Sequence, residues 1–271
     1  MMISIIIPSI NPNYKKIFFT LNSVLKNTGQ YEVILVLQKT NKNIIKKIKQ
    51  EFGKSNKLKI ICDKSQGISR ARNLAIKSAN GDWIILIDDD VYIKTNTIKK
   101  LNENISVNDL FYYGNAIVHK TNDHFVNHYI VNSDLDFWNY NRVSSIALVI
   151  NRKVFEKVGL FDVNLGSGSD FGSSEESDLI LRVLLKNIKI KYMREYFVYH
   201  EKANLPLQKI EYYAKGAGAL YKKHLKSKNI KLYIKFLIDL AIRGLFLLSF
   251  KKKRYIFFKG FFLGFVKYSK F

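Results

Sequence analysis

Gly81-Asp82-Trp83-Ile84-Ile85-Leu86-Ile87-Asp88-Asp89-Asp90 decides the fold. The bulky apolar run from Trp83 to Ile87, bounded by Gly81-Asp82 and by acid, reads as a buried strand. A strand of an open α/β sheet delivers whatever follows it to the sheet rim, where such folds place their ligands. Adjacent carboxylates repel one another, so the cluster calls for a cation. A divalent ion held by one or two carboxylates and completed by substrate phosphates is the usual solution. The plainer alternative is a solvated loop or a helix cap. Thr95 and Asn96 already supply caps for a following helix, Thr97 to about Ile105.

Upstream, strand and helix patterns alternate. Ile3 to Pro8 reads as a first parallel strand, and Asn13 to Lys26 as a helix with Ile17, Leu21, Val24 and Leu25 on one face. Glu32 to Leu37 is a second strand, Asn43 to Phe52 a helix, Lys57 to Cys62 a third strand, and Gly67 opens a helix over Ile68 to Ala79. This β-α-β-α-β-α-β order predicts a parallel, doubly wound sheet with right-handed crossovers. After about residue 105 the rhythm changes. Leu110 to His119 and Ser144 to Ile150 read as strands, the second either parallel or antiparallel, and Asn151 to Val158 as a short helix ending at Gly159. Gly166 to Ser174 is expected to be a mobile loop, followed by a helix from Glu175 to Leu185 and late strands at Ile188 to Met193 and Tyr196 to His200. Three regions result: residues 1–105, 106–225 and 226–271.

The chain has 271 residues, of which 47% are hydrophobic, enough for a sizeable core. Its one cysteine, Cys62, excludes an internal disulfide and a cysteine-rich metal site, and its apolar surroundings suggest a core position. The N-terminus starts directly on a strand pattern, with no basic segment or cleavage signature, so a cytoplasmic location is expected. The formal charge is +23, and the last quarter is the most basic: Lys209 to Phe271 holds 16 Lys and Arg against 2 acids. That imbalance suits a polyanionic partner, nucleic acid or an anionic membrane surface. Lys231, Lys235, Asp239 and Arg243 make one polar stripe on an otherwise apolar helix. The basic knot Lys251-Lys252-Lys253-Arg254 and the aromatic run Tyr255 to Val266 follow. No uncharged run there approaches the ~20 residues that span a bilayer. Flanking lysines on aromatic faces suit a helix lying in a membrane interface; the alternative is a helical hairpin packed on the core.

Taken in order, Ser4-Ile5-Ile6-Ile7-Pro8-Ser9, Gly67-Ile68-Ser69-Arg70-Ala71-Arg72-Asn73 and Gly81 to Asp90 resemble the family 2 glycosyltransferases, enzymes of the GT-A fold. Gly159-Leu160-Phe161-Asp162 and Ser174-Glu175-Glu176-Ser177-Asp178-Leu179-Ile180-Leu181-Arg182 look like that family's acceptor-side segment. Tyr212 to Leu220 is similar to the tail of many bacterial members, and the resemblance covers roughly residues 1–225. It implies an α/β GT-A fold: a Rossmann-like, mostly parallel sheet, a mixed acceptor-side part and a C-terminal helical extension. It implies inverting transfer of a sugar from a nucleoside-diphosphate donor, a UDP-sugar being favoured, to an acceptor hydroxyl, with Mg²⁺ or Mn²⁺ as cofactor. A lipid-linked glycan acceptor for surface polysaccharide, at the inner face of the cell membrane, would explain the basic aromatic tail.

Residue by residue, the resemblance makes Asp88 and Asp90 the ends of the Asp-x-Asp motif, with Asp89 between them on the donor. Asp90 is the first-choice metal ligand, and His200 either completes the metal or diphosphate site or is a satisfied strand-end histidine. Pro8 and Ser9 line the nucleotide pocket. Arg70 and Arg72 lie near it, or on an exposed helix face; two residues apart, at most one is expected on the donor. Arginine's planar fork suits a diphosphate. Where the family often has a base-reading aspartate, this chain has Leu37-Gln38-Lys39, so Gln38 or Asp63 is the candidate for the base. Glu176 aligns with the acid that acts as base, with Glu175 and Asp178 in reserve. Ser173 and Glu176 also fit a capping box. The rival readings are a basic nucleic-acid-binding module, whose affinity would fall steeply with salt and ignore metal, and a non-catalytic membrane-associated scaffold.

Overall fold

The computed structural model describes residues 1–118, 133–201, 206–247 and 252–268. His119 and Lys251 lie outside them, as do the side chains of Arg243 and Lys253. One eight-stranded sheet organises the chain, in the order β3-β2-β1-β4-β7-β6-β8-β5. Its first half is β1 (Ile3–Ile10), β2 (Tyr31–Gln38), β3 (Leu58–Asp63) and β4 (Trp83–Leu86), all parallel. These strands are connected by α1 (Tyr14–Leu25), α2 (Lys42–Phe52) and α3 (Ile68–Ser78). Such strands carry helices on both faces, which is why they read as near-continuous apolar runs rather than alternating ones. Ile5, Ile7, Leu35 and Ile85 pack on Ile17, Leu21 and Val24 of α1. Ile6, Ile34, Ile84 and Leu86 face the other way, toward α3 and the later helical residues Leu179 to Leu184.

The second half is mixed, as expected. After β5 (Val91–Tyr92), α4 (Thr97–Asn104) and β6 (Phe111–Val118) comes β7 (Leu148–Asn151), antiparallel to both β4 and β6. α5 (Arg152–Val158) and α6 (Glu175–Leu185) precede β8 (Lys191–His200). The two late strands of the sequence reading are in fact this one strand, flanked by a bridge at Ile190. The irregularity lies in its pairing with β6, which shifts register between Tyr113 and Asn115. A second correction concerns Cys62, which is exposed rather than in the core, because β3 lies at one edge of the sheet.

α7 (Leu207–His224), α8 (Ile230–Leu247) and α9 (Lys252–Lys267) complete the chain. α9 lies against α7 at backbone distance: a Cβ at Gly218 would overlap the Phe261 carbonyl, and one at Gly264 the Lys215 carbonyl. Small residues at such a crossing let the helix backbones touch. Tyr221 of α7 stacks on Phe236 of α8, with ring centroids 3.9 Å apart, and meets Phe261 of α9 edge-on. The polar stripe on α8 is partly internal, since Asp239 is buried and takes the Tyr221 hydroxyl at 2.7 Å. Among the described residues no helix is long and apolar enough to cross a membrane.

Candidate active site

β1 and β4 run side by side in parallel, with Ile6 opposite Leu86, so Pro8-Ser9 and Asp88 to Asp90 emerge at the same end of the sheet. The Ser9 hydroxyl donates to Asp89. Past the acids, Val91 pairs with His200 at the end of β8. That pairing sets His200 Nε2 2.9 Å from Asp90 Oδ1. Lys16, in the first turn of α1, places its Nζ 2.7 Å from Asp90 Oδ2. Asp88 Oδ1 accepts from Arg72 Nη2 at 3.3 Å.

The three acids therefore differ in proton affinity. Burial pushes Asp89 up to about 6, helped by the charges on either side and opposed by the Ser9 hydrogen bond. Asp90 is partly buried as well, yet its hydrogen bond to His200 and the His200 and Lys16 charges hold it down at about 2. Burial also raises Asp88, against the pull of Arg72. For His200 the order reverses: burial lowers its pKa, and the Asp90 contact outweighs that and raises it.

No cluster of three or more metal-type side chains exists among the described residues. Two donors are nevertheless presented as a pair. Asp90 Oδ1 and His200 Nε2 stand 2.9 Å apart, close to the ~3 Å between neighbouring ligands of an octahedral ion whose ligand distances are about 2.1 Å. A hard divalent ion taking two protein ligands and filling its shell with phosphate oxygens and water fits this arrangement; Lys16 would have to give way.

At the adjoining strand ends, Gln38 is fully buried and its amide is committed at both ends. It donates to Asp63 Oδ2 at 2.9 Å and accepts from Gly67 N at 3.1 Å. Asp63 also accepts from the backbone N and hydroxyl of Ser65. Gln38 thus orients Asp63, the half-exposed group of the two. Arg70 is exposed, and its charge helps to lower the pKa of Asp63.

Arg72 does not lie on an exposed helix face. Its side chain is fully buried and forks between two carboxylates, Asp88 and, through Nη1 at 2.8 Å, Glu175 Oε1. Ser145 Oγ accepts from the same Nη2 at 3.0 Å, while Nε has no partner. One guanidinium accordingly joins the acidic rim to the first turn of α6.

That turn carries Glu175, Glu176 and Asp178. The capping box does not form: Ser174, not Ser173, is the N-cap, with φ at 72° and no side-chain cap bond, and the Ser173 hydroxyl donates instead to Tyr213 O at 2.7 Å. Asp178 is fully buried and held by Arg182 Nε at 3.0 Å, Lys223 Nζ at 2.8 Å and His224 Nε2 at 2.9 Å. These contacts outweigh the penalty of burial and keep it ionised well below the usual range. Two of the three acids are therefore matched by cations. Partial burial, and then the charge of Glu175 beside it, raise Glu176 above the usual carboxylate range.

The expected mobile loop is laced to its surroundings. Gly166 N donates to Phe171 O at 2.8 Å, the Ser169 hydroxyl meets the carbonyls of Asn164 and Gly166, and Ile68 N reaches Ser167 O at 2.9 Å. Sequence reading missed Lys16, Ser145 and the Arg72–Glu175 tie. Only Lys16 had a signal: Asn13 caps α1 right after the first strand, which sets the helix's first turn beside the rim.

Against solved structures, the fold is similar to that of S. aureus TarS. The TarS 1–349 fragment aligns with 99% of this chain and 81% of its own length, at 16% identity and a TM-score of 0.68. The same fragment in complex with UDP-GlcNAc aligns with 86% of this chain and 69% of its own, at 16% identity and a TM-score of 0.63. Longer TarS is matched over 44% of its length, at 17% identity and a TM-score of 0.64. At such identities the likeness speaks for the fold, GT-A. No curated protein sequence matches. The model of one family, described as glycosyl transferase family 2, matches residues 4–161, more than half the chain, and takes in Ser9, Arg72 and all three rim aspartates. By that match the chain belongs to glycosyl transferase family 2.

Proposed function

We propose that this glycosyltransferase moves a sugar, with inversion, from a nucleoside-diphosphate sugar to a hydroxyl of a glycan acceptor. The observation that supports the reading is the shared guanidinium of Arg72, which bonds Asp88 of the acidic rim and Glu175 of the first turn of α6. The donor's nucleotide lies along the ends of β1, β2 and β3, with Pro8 and Ser9 beside it and Asp63, oriented by Gln38, toward the base. The TarS fragment's complexes with UDP-GlcNAc and with UDP favour a uridine nucleotide. Asp90 and His200, with Asp88 and Asp89 alongside, hold the metal end of the diphosphate. A Mg²⁺ or Mn²⁺ held there would supply positive charge to offset the negative charge gathering on the departing diphosphate. Glu176 takes the proton from the acceptor hydroxyl as its oxygen attacks the anomeric carbon from the face opposite the leaving group. Its high proton affinity fits that role, because a base works best with a pKa near the working pH.

The tail supports a place at the inner face of the cell membrane, where a lipid-linked glycan would be met. Ile230, Ile234, Leu237 and Ile238 leave an apolar face of α8 exposed, and Tyr255, Phe262 and Val266 do so on α9, with the exposed Lys259 and Lys267 beside them. Apolar area ringed by lysine is what an interfacial helix offers to anionic lipid. The test of the catalytic reading is a panel of nucleotide sugars assayed with Mn²⁺ for hydrolysis and transfer. Wild type should turn over at least one donor, and Glu176→Gln should bind that donor and lose transfer. A fully active Glu176→Gln enzyme would remove Glu176 from the base role.

A further inference from the structure

The motif Tyr212 to Leu220 has no part in the chemistry above, and the structure gives it one. The Tyr212 hydroxyl donates to Ser169 O at 2.7 Å and accepts from Gly168 N at 2.9 Å, so one oxygen closes the tip of the loop that leads into Glu175 and Glu176. The loop fits around the ring: a Cβ at Gly172 would overlap the Tyr212 ring, and one at Gly216 would overlap the backbone of Ser173. The Ser173 hydroxyl adds a bond to Tyr213 O. On its other side the loop touches the donor half of the site. Gly168 lies over Ile10 and Gly67, and Ser167 O accepts from Ile68 N at the start of α3. Within it, Gly166 is pressed between Ile68 and Glu175. Behind Tyr212, α9 braces α7 through Gly218, Gly260 and Gly264.

We propose that Tyr212 is a positioning residue, the template on which the 166–174 loop is wound so that the first turn of α6 presents Glu176 to the acceptor. The proposal rests on the base role given to Glu176 above. It also makes the C-terminal helices part of the catalytic unit, whatever surface they meet. A loop held at both ends, on α3 and on α7, fixes where α6 begins; loosening one end lets the carboxylate wander. Displacement of a reacting group by about 1 Å costs on the order of 100-fold in rate.

Tyr212→Phe tests this, because it keeps the ring against Gly172 and removes only the oxygen. Hydrogen exchange should become faster across residues 166–176 and stay unchanged in β1 to β4; unchanged exchange in the loop overturns the proposal whether or not a substrate is known. In a transferase assay, kcat should fall by about 10- to 100-fold with the donor KM kept. Measured on the slow residual transfer of Glu176→Gln, adding Tyr212→Phe should cost little further. A rise in donor KM with kcat kept, or a full second loss in the Glu176→Gln background, would show that Tyr212 does not act through Glu176. Failure of wild type to transfer any sugar would refute the function proposed above and leave the exchange measurement to decide the clamp.

Discussion

Removing the guanidinium of Arg72 is the sharpest perturbation the structure offers. The side chain has no exposure to solvent, and it bonds Glu175, itself buried, at 2.8 Å and Asp88 at 3.3 Å. Arg72→Met fills much of the volume but strands both carboxylates. Breaking a buried ion pair from one side costs about 3–5 kcal/mol, because the remaining charge keeps its desolvation penalty. A chain of this size loses about 2–4 °C of melting temperature per kcal/mol. The midpoint should therefore drop by about 6–20 °C in calorimetry near neutral pH. The mechanism also predicts the sign of a second change. Glu175→Gln in the Arg72→Met background removes one stranded charge and should recover part of the loss, although Glu175→Gln alone destabilises. Arg72→Lys should rescue poorly, since a point charge cannot fork between two carboxylates. A drop under about 3 °C for Arg72→Met, or purely additive effects in the double variant, would refute the electrostatic tie.

With Glu176 as the proposed base, its raised pKa means that kcat/KM should go on climbing with pH beyond the ordinary carboxylate range. Glu175→Gln removes the neighbouring charge that raises it, so the climb should move to lower pH; a profile that stays in place would point to another base. Gly264→Val pushes side-chain atoms into the Lys215 backbone and should cost about 1–3 kcal/mol by urea unfolding, as overpacking does; wild-type stability would mean that α7 and α9 do not touch as described. Leu237→Glu with Phe262→Glu, at positions 67% and 60% exposed, should weaken sedimentation with anionic vesicles without lowering the melting temperature. Equal vesicle binding would remove the tail from any membrane contact.

The parallel half of the sheet was legible in sequence because buried parallel strands announce themselves as apolar runs, and turn signals fell where strands ended. The acid rim followed from β4 alone. His200 could be suspected only by resemblance, since what brings it to Asp90 is a two-residue strand pairing far along the chain. The partners of Arg72 were not legible because helix periodicity gives a face and not a partner; its carboxylates lie 16 and 103 residues away. Cys62 misled for a related reason: a local apolar run does not say that its strand lies at a sheet edge. The capping box failed on backbone geometry, with Ser174 rather than Ser173 taking the cap position. The Gly- and Ser-rich loop looked mobile by composition, yet those residues are small so that a tyrosine ring and a neighbouring helix can approach it.

The most direct measurement is a crystal of the protein grown with Mn²⁺ and a nucleoside diphosphate, with anomalous scattering used to locate the ion. One peak is expected, bounded by Asp90, His200 and the diphosphate oxygens, with the Glu176 carboxylate across the vacant sugar position. A diphosphate bound away from the β4 rim, or a rim that stays closed by Lys16 with the manganese elsewhere, would contradict that expectation.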